Sequence, residues 1–255
     1  MSTYNYVCQT DCKALAPEVC LIKEALGTYR RDRGNSYITD LPLSELYKAP
    51  KSSIAVGDLD FVAAQLSKSN KIMYPIEVPA VLRTKEFLGR EYKVGTFEEI
   101  PKEGAWFVKD VSRLKGFVGV LHTEGINTVD IDTESKESHK WVYSSLLSFV
   151  AEYRFYVYCD TVMTYALYTH APCCYGAFPD IAKVNKMIGE YCSVARPKAY
   201  AMDVGVTSDN QTYLIEIQPF VSMGIYNTAM YSDDLAGMVD KGYEWYLSKD
   251  NKLIV

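Results

Sequence analysis

Two apolar runs, AYAMDVGV (199–206) and YLIEIQPF (213–220), flank the polar stretch TSDNQ, and each carries one carboxylate in its interior. Runs of this length around a short polar stretch fold as a β-hairpin. Asp209 and Asn210 both tolerate the left-handed backbone of a tight turn. With these two as the loop, Ser208 faces Gln211 and Asp203 stands directly opposite Glu216. Their Cβ atoms are then about 4.5–5.5 Å apart. Gln218 shares the face of Glu216, roughly 7 Å along the strand. Facing carboxylates repel. Either a bound divalent cation removes that penalty, or the face is solvated and nearby lysines neutralise it. Oxygen-only donors of this kind suit magnesium, which takes one or two carboxylates plus substrate phosphates.

The rest of the chain predicts helices and strands in alternation. YNYVCQ (4–9) reads as a first strand. Pro17–Tyr29 reads as a helix with Val19, Ile22, Leu26 and Tyr29 as its buried stripe. RRDRGN (30–35) reads as a polar turn and SSIAV (52–56) as a strand. Asp58 is the expected N-cap of a helix through Leu66. A further helix is expected near 79–88. This first third has the pattern of a small α/β lobe. Downstream, EGAWFVKDVSRLKGFVGVLH holds two strands around a polar loop, and residues 128–140 are charged. The stretch from Lys140 to His170 reads as a meander. Pro179-Asp180 starts a helix, and another is expected over Ser232–Leu247, with Asp233 and Asp234 in its first turn.

Composition excludes several function classes. The net charge of −5 argues against nucleic acid as a partner,. No leader and no apolar run of membrane-spanning length is present, so a cytoplasmic protein without membrane association is expected. Seven cysteines at spacings that match no disulfide module fit a reducing compartment,.

Two further constellations bear charge inside strand-like runs. In AWFVKDVSRLKGF (105–117), Lys109 shares the face of Ala105 and Phe107, and Lys115 follows across a loop ending in Gly116. Two ammonium groups on such a segment can hold a polyphosphate; on the segment alone, surface lysines at a strand end are the more common case. In FVAEYRFYVY (149–158), Glu152 and Arg154 share a face. They form either an exposed ion pair or, through Arg154, a fork for phosphate. No P-loop or dinucleotide fingerprint occurs. Cys173-Cys174 has no zinc or redox spacing, and His122, His139 and His170 lack a partner carboxylate at helical spacing.

Taken in order, these segments resemble the ATP-grasp superfamily over about residues 81–230. WFVK occupies the place of the family's phosphate-contacting lysine strand, and DVGV with EIQPF that of its metal-binding strands. EYRFYV, MGIY and RTKEFLGR add a likeness to the phage-associated, peptide-ligase-like branch. Gln218 stands where the family usually has Asn, and Asp110 where it often has Pro. The resemblance implies an α+β fold: a lobe over 1–80, then an ATP-grasp domain over 81–255 whose two subdomains meet near 150 and clasp ATP. It implies an ATP- and Mg²⁺-dependent ligase joining a small-molecule or peptide carboxylate to an amine through an acyl phosphate. Asp203, Glu216 and Gln218 would hold magnesium. Lys109, Lys115, Glu152 and Arg90 would contact the nucleotide or substrate, and Arg154 with Lys115 would serve the chemistry. A phosphotransferase, or a nucleotide-binding protein without turnover, is the alternative on the same scaffold.

Overall fold

The computed structural model describes residues 5–33, 37–112, 120–122, 139–168, 176–227 and 229–248. The first lobe is built on β1 (Asn5–Gln9), α1 (Ala16–Arg33), β2 (Tyr37–Leu41), β3 (Ile54–Val56) and α2 (Leu59–Ser67). Its three strands are parallel, in the order β2-β1-β3. The helix α1 runs through Arg33 instead of ending in a turn at 30. Arginine is a good helix former, and the first breaker after Gly27 is Gly34,. Strand β2 gives little sequence signal, because only Leu41 of its five residues is buried. Asp58 caps α2 as expected, accepting from Phe61 N at 3.0 Å.

The segment 79–88 does not form one helix. Pro79 opens a short 3₁₀ turn (Ala80–Leu82), and Thr84 caps a separate single turn, α3 (Lys85–Leu88). Gly89, at φ 63°, stops it; a Cβ there would lie 2.5 Å from the Tyr213 ring. Two start signals and one stop within eleven residues leave no room for a longer helix.

Two antiparallel sheets follow. One has the order β4-β7-β5-β6, from Tyr92–Gly95, Trp141–Ser145, Trp106–Asp110 and Val120–His122. The other has the order β11-β10-β8-β9, from Thr212–Pro219, Ala199–Val206, Ala151–Tyr158 and Thr161–Leu167. The expected meander over 140–170 is therefore divided. Its first strand, β7, joins one sheet, and β8 and β9 join the other. Two helices complete the fold: α4 (Ile181–Tyr191), capped by Asp180, and α5 (Ser232–Leu247).

Strand parity decides what each face of the second sheet does. Met202 and Val204 of β10, Phe155 and Val157 of β8, and Leu214 and Ile217 of β11 pack with Val184, Met187 and Ile188 of α4. The opposite face carries Glu152, Arg154, Asp203, Glu216 and Gln218. At its end Tyr156, Ala199, Ala201 and Phe220 join the first lobe and α5 in a second core. Tyr6 of β1 also donates to Asp240 of α5 at 2.6 Å. The polar middle of that face is left to look towards the first sheet.

Candidate active site

Asp203 does face Glu216, but by a different route from a two-residue turn. Thr207 N donates to Gln211 O, and Asn210 is left-handed at φ 58°, so the loop has three residues, Ser208–Asn210. That loop alone would move every later pair by one. A bulge at Ile215 restores the register, so Val204 pairs with Leu214 and Asp203 with Glu216. The bulge shows in the packing: Leu214 and Ile217, three apart, both reach the core. Its consequence is that Ile215 and Glu216 both line the space between the sheets.

Arg90 holds the bulge. Its Nη1 donates to Leu214 O at 2.9 Å and Leu88 O at 3.1 Å, and its Nη2 reaches Ile215 O at 3.5 Å. The turn α3 and its Gly89 stop bring Arg90 there, and burial lowers its pKa. Gly205, next along β10, lies under Phe149; a Cβ at that position would be 2.2 Å from the ring.

Each carboxylate of the hairpin has its own cation. Arg154 lies opposite Asp203 across β8 and β10 and grips it with both arms, Nε to Oδ1 at 2.8 Å and Nη2 to Oδ2 at 2.7 Å. Both residues are buried. Burial alone would lower the Arg154 pKa; the Asp203 carboxylate outweighs it and holds the guanidinium charged. Burial pushes the Asp203 carboxyl up, against the two bonds from Arg154. Arg154 also sits 5.4 and 5.5 Å from the ring centroids of Tyr168 and Tyr226, which stack on each other at 5.6 Å. Glu152 is therefore not the partner of Arg154; its backbone oxygen accepts from Tyr168 N at 3.0 Å, and burial, with the nearby Asp203 and Glu152 carboxylates, raises the Tyr168 pKa.

Glu216 pairs with Lys109 of β5, Oε2 to Nζ at 2.8 Å, and both side chains are about one-third exposed. This pair joins the two sheets. The space around it is a cavity of about 330 Å³, within the range of small-molecule sites,. Its walls are Phe107, Lys109 and Val142 from one sheet and Glu152, Ile215 and Glu216 from the other, with Arg90 and Tyr92 at one side.

The cavity thus gathers Arg90, Lys109, Glu152 and Glu216, while Arg154 and Asp203 are buried on the same face of the second sheet, outside its walls, with Gln218 on that face of β11. Lys115 lies outside the described residues, as do His170, Cys173, Cys174 and the side chain of His122. His139 has a partner that sequence spacing misses. Its Nδ1 is 2.7 Å from Oδ2 of buried Asp110, on the face of β5 turned away from Lys109. Tyr168 and Tyr226 were also missed as neighbours of Arg154; the latter closes the MGIY segment.

The donors present fit magnesium. Among the described residues no three His, Cys, Asp or Glu side chains cluster as a metal set. Magnesium needs only one or two carboxylates when phosphates and water complete its shell. Glu216 offers Oε1, each Asp203 oxygen retains a lone pair after accepting one bond, and Gln218 offers its amide oxygen. All are hard oxygens on neighbouring strands. Also among the described residues, no helix is long and apolar enough to cross a membrane.

A family model described as an ATP-grasp domain, the second family of its clade, matches residues 87–232. A comparison with curated proteins gives no match. Among solved structures, the chain is similar to a RimK-domain ATP-grasp protein from Sphaerobacter thermophilus, at TM-score 0.54 and 14% identity over 96% of this chain and 100% of that one. It is similar to D-alanine–D-alanine ligase from Bacillus anthracis, at 0.53 and 11% over 96% and 98%. It is also similar to the ATP-grasp ligase PsnB complexed with a minimal precursor, at 0.52 and 13% over 94% and 98%. At these identities the likeness is one of fold.

Proposed function

The chain belongs to this ATP-grasp domain family, and from that premise we propose that it is an ATP- and magnesium-dependent ligase joining a carboxylate to an amine through an acyl phosphate. The observation that carries this reading is the Lys109–Glu216 pair, which spans the two sheets inside the cavity. A half-exposed pair of this kind is weakly held. A magnesium–nucleotide complex supplies replacements for both partners at once: a phosphate for the ammonium and a cation for the carboxylate.

The cavity between the sheets is the seat of the nucleotide. Lys109 turns to its phosphates, with Lys115 as a second cation. Glu152 contacts the ribose or, through Tyr168, orients the ring pair beside Arg154. Glu216, Asp203 and Gln218 hold magnesium, which supplies neutralisation of phosphate charge as it develops. Arg154 is fixed by Asp203 and steadies the transferred phosphoryl group and the substrate carboxylate. The carboxylate oxygen attacks the terminal phosphorus and the nucleoside diphosphate leaves. The amine then attacks the acyl carbon, phosphate leaves, and the amine loses one proton. Walls such as Phe107, Val142 and Ile215 keep water from hydrolysing the acyl phosphate.

PsnB is described in complex with a phosphomimetic precursor variant, magnesium and ADP. That supports a peptide or small-molecule acid as substrate here. The likeness of EYRFYV and MGIY to the phage-associated branch supports a reaction in the cytosol of an infected host. The test is a mass-spectrometric search of host extract incubated with the protein and Mg-ATP. A product formed with loss of water supports the ligase. A product that gains phosphate makes the protein a kinase, and no adduct with no ATP consumption makes it a binder.

A further inference from the structure

A second cavity lies at the other end of β11, where the first lobe meets α5. It measures about 30 Å³. Its walls are apolar, from Val19 and Ile22 of α1, Val56 of β3, Phe220 and Ile225 after β11, and Val239 of α5. Two polar groups interrupt them. Glu18 lines the cavity, and its Oε2 is buried without a hydrogen-bond partner. Tyr243 lines it too, is 2% exposed, and its hydroxyl has no partner either. Buried polar atoms nearly always have partners, so two unmet atoms on one cavity point to a ligand.

The chemistry of that ligand is constrained. A carboxylate oxygen and a phenol oxygen can both accept, and no described lining residue is basic. An anion is therefore excluded, and a donor-rich cation is favoured. The only other side-chain oxygen among the lining residues belongs to Ser222, which already donates to Gly57 O at 2.9 Å. Four side-chain oxygens among apolar walls, one of them already accepting from Ile225 N, are too few to replace the shell of a hard metal ion,. They suit an ammonium, with three N–H donors and an apolar tail. The cavity also sits next to Gly57 at the carboxyl end of β3, an edge strand of the parallel sheet β2-β1-β3.

The cavity is tied to the active site through one short segment. Ile225 N donates to Glu18 Oε1 at 3.4 Å. The adjacent Gly224 O accepts from Tyr156 Oη at 3.0 Å and from Arg154 Nη1 at 3.4 Å. We infer that this cavity binds a small primary ammonium with a short aliphatic tail, held by Glu18 and Tyr243, and that it is the subsite for the amine substrate. The word substrate rests on the ligase reading; the binding of an ammonium does not.

The experiment uses the full chain without nucleotide and methylammonium chloride as the probe, read by saturation-transfer NMR. Two non-hydrogen atoms cap the affinity at roughly millimolar. A saturable signal is expected for methylammonium and none for tert-butylammonium, which exceeds the cavity. Glu18→Gln should weaken binding about tenfold or more, as loss of a charged hydrogen-bond partner does. Tyr243→Phe, which keeps the ring and so the fold, should weaken it severalfold. No saturable binding by the wild type, as for a cavity that holds only water, overturns the inference. So does unchanged affinity in both variants. Binding without any amine-dependent ATP consumption leaves the site standing and removes the ligase reading. Amine-dependent turnover that both variants leave untouched removes the site and keeps the ligase.

Discussion

Arg154–Asp203 and Lys109–Glu216 each set a cation against a carboxylate of the same hairpin, yet they are held in opposite ways. The first pair is buried and bidentate, within one sheet, on directly facing residues. The second is single-armed and one-third exposed, and it crosses between sheets over 107 residues of sequence. A buried pair keeps its geometry because either partner alone would be an unsolvated charge. A half-exposed pair is close to balanced against water and can be exchanged. The two carboxylates on one face of one sheet thus belong to a fixed charge pair and to a replaceable one, which is what a site needs that must position a reacting group and also admit and release a charged ligand.

The comparison makes predictions that run from the largest expected effect on stability to the smallest. Asp203→Ala leaves Arg154 buried and uncompensated. It should cost about 3–5 kcal/mol in chemical denaturation; a loss below about 1 kcal/mol would dissolve the distinction between the pairs.

Asp240 supplies a third setting, a buried carboxyl whose partner is the Tyr6 hydroxyl. Burial raises its pKa from 3.8 to about 6. The folded state therefore binds this proton more tightly than the unfolded state. Its contribution to stability is full below about pH 3.8 and is lost as pH rises through about 6, about 3 kcal/mol in all. The difference in stability between wild type and Asp240→Asn, followed by urea titration from pH 3 to 8, should change across that window. A flat difference means that a phenol compensates the carboxylate as well as a guanidinium does.

Arg154→Lys keeps the charge and one arm of the pair. Loss of one charged hydrogen bond should cost about 1.5–3 kcal/mol of stability. Turnover should fall roughly 10²-fold with nucleotide affinity within a few-fold by calorimetry, because lysine lacks the fork that meets the migrating phosphoryl group. Near-normal turnover would reduce Arg154 to a structural partner of Asp203.

Glu216→Gln should be the mildest for the fold, changing stability by no more than about 1 kcal/mol, and less at high salt. It should nevertheless remove magnesium-supported ATP consumption by orders of magnitude. Full activity in this variant would take Glu216 out of the proposed metal set. A large loss of stability would show that the sheets depend on the Lys109 bridge.

Much of the site can be read locally. The helices α2 and α4 follow from their caps and apolar stripes, and α5 from its apolar stripe with Asp233 and Asp234 in the first turn, because those signals act within a few residues. The pairing of Asp203 with Glu216 was also expected from parity, although the structure reaches it through a three-residue loop and a bulge at Ile215 that cancel. The bulge itself was not legible, since Ile215 and Ile217 alternate with Glu216 and Gln218 as in a regular strand, and only the structure puts Leu214 in the core in place of Ile215. The split of 79–88 into two turns was legible in Pro79, Thr84 and Gly89.

By itself, then, the sequence determined which faces carry charge, the caps of α2 and α4, and the resemblance to the ATP-grasp superfamily that the family match bears out. The choice of partners was left to tertiary structure. Glu152 and Arg154 are neighbours on one strand, but the order β11-β10-β8-β9 puts Asp203 beside Arg154 instead. Arg90 is expected from the resemblance as a phosphate or substrate contact, and folding sets it both at the wall of the cavity and on the carbonyls of a bulge 124 residues away. His139 finds Asp110, and Glu18 meets Tyr243 at one cavity, only because distant elements stack. Parity and capping are set by backbone geometry over a few residues. Which charge meets which depends on strand order and sheet packing, and these are fixed by the burial of the whole core.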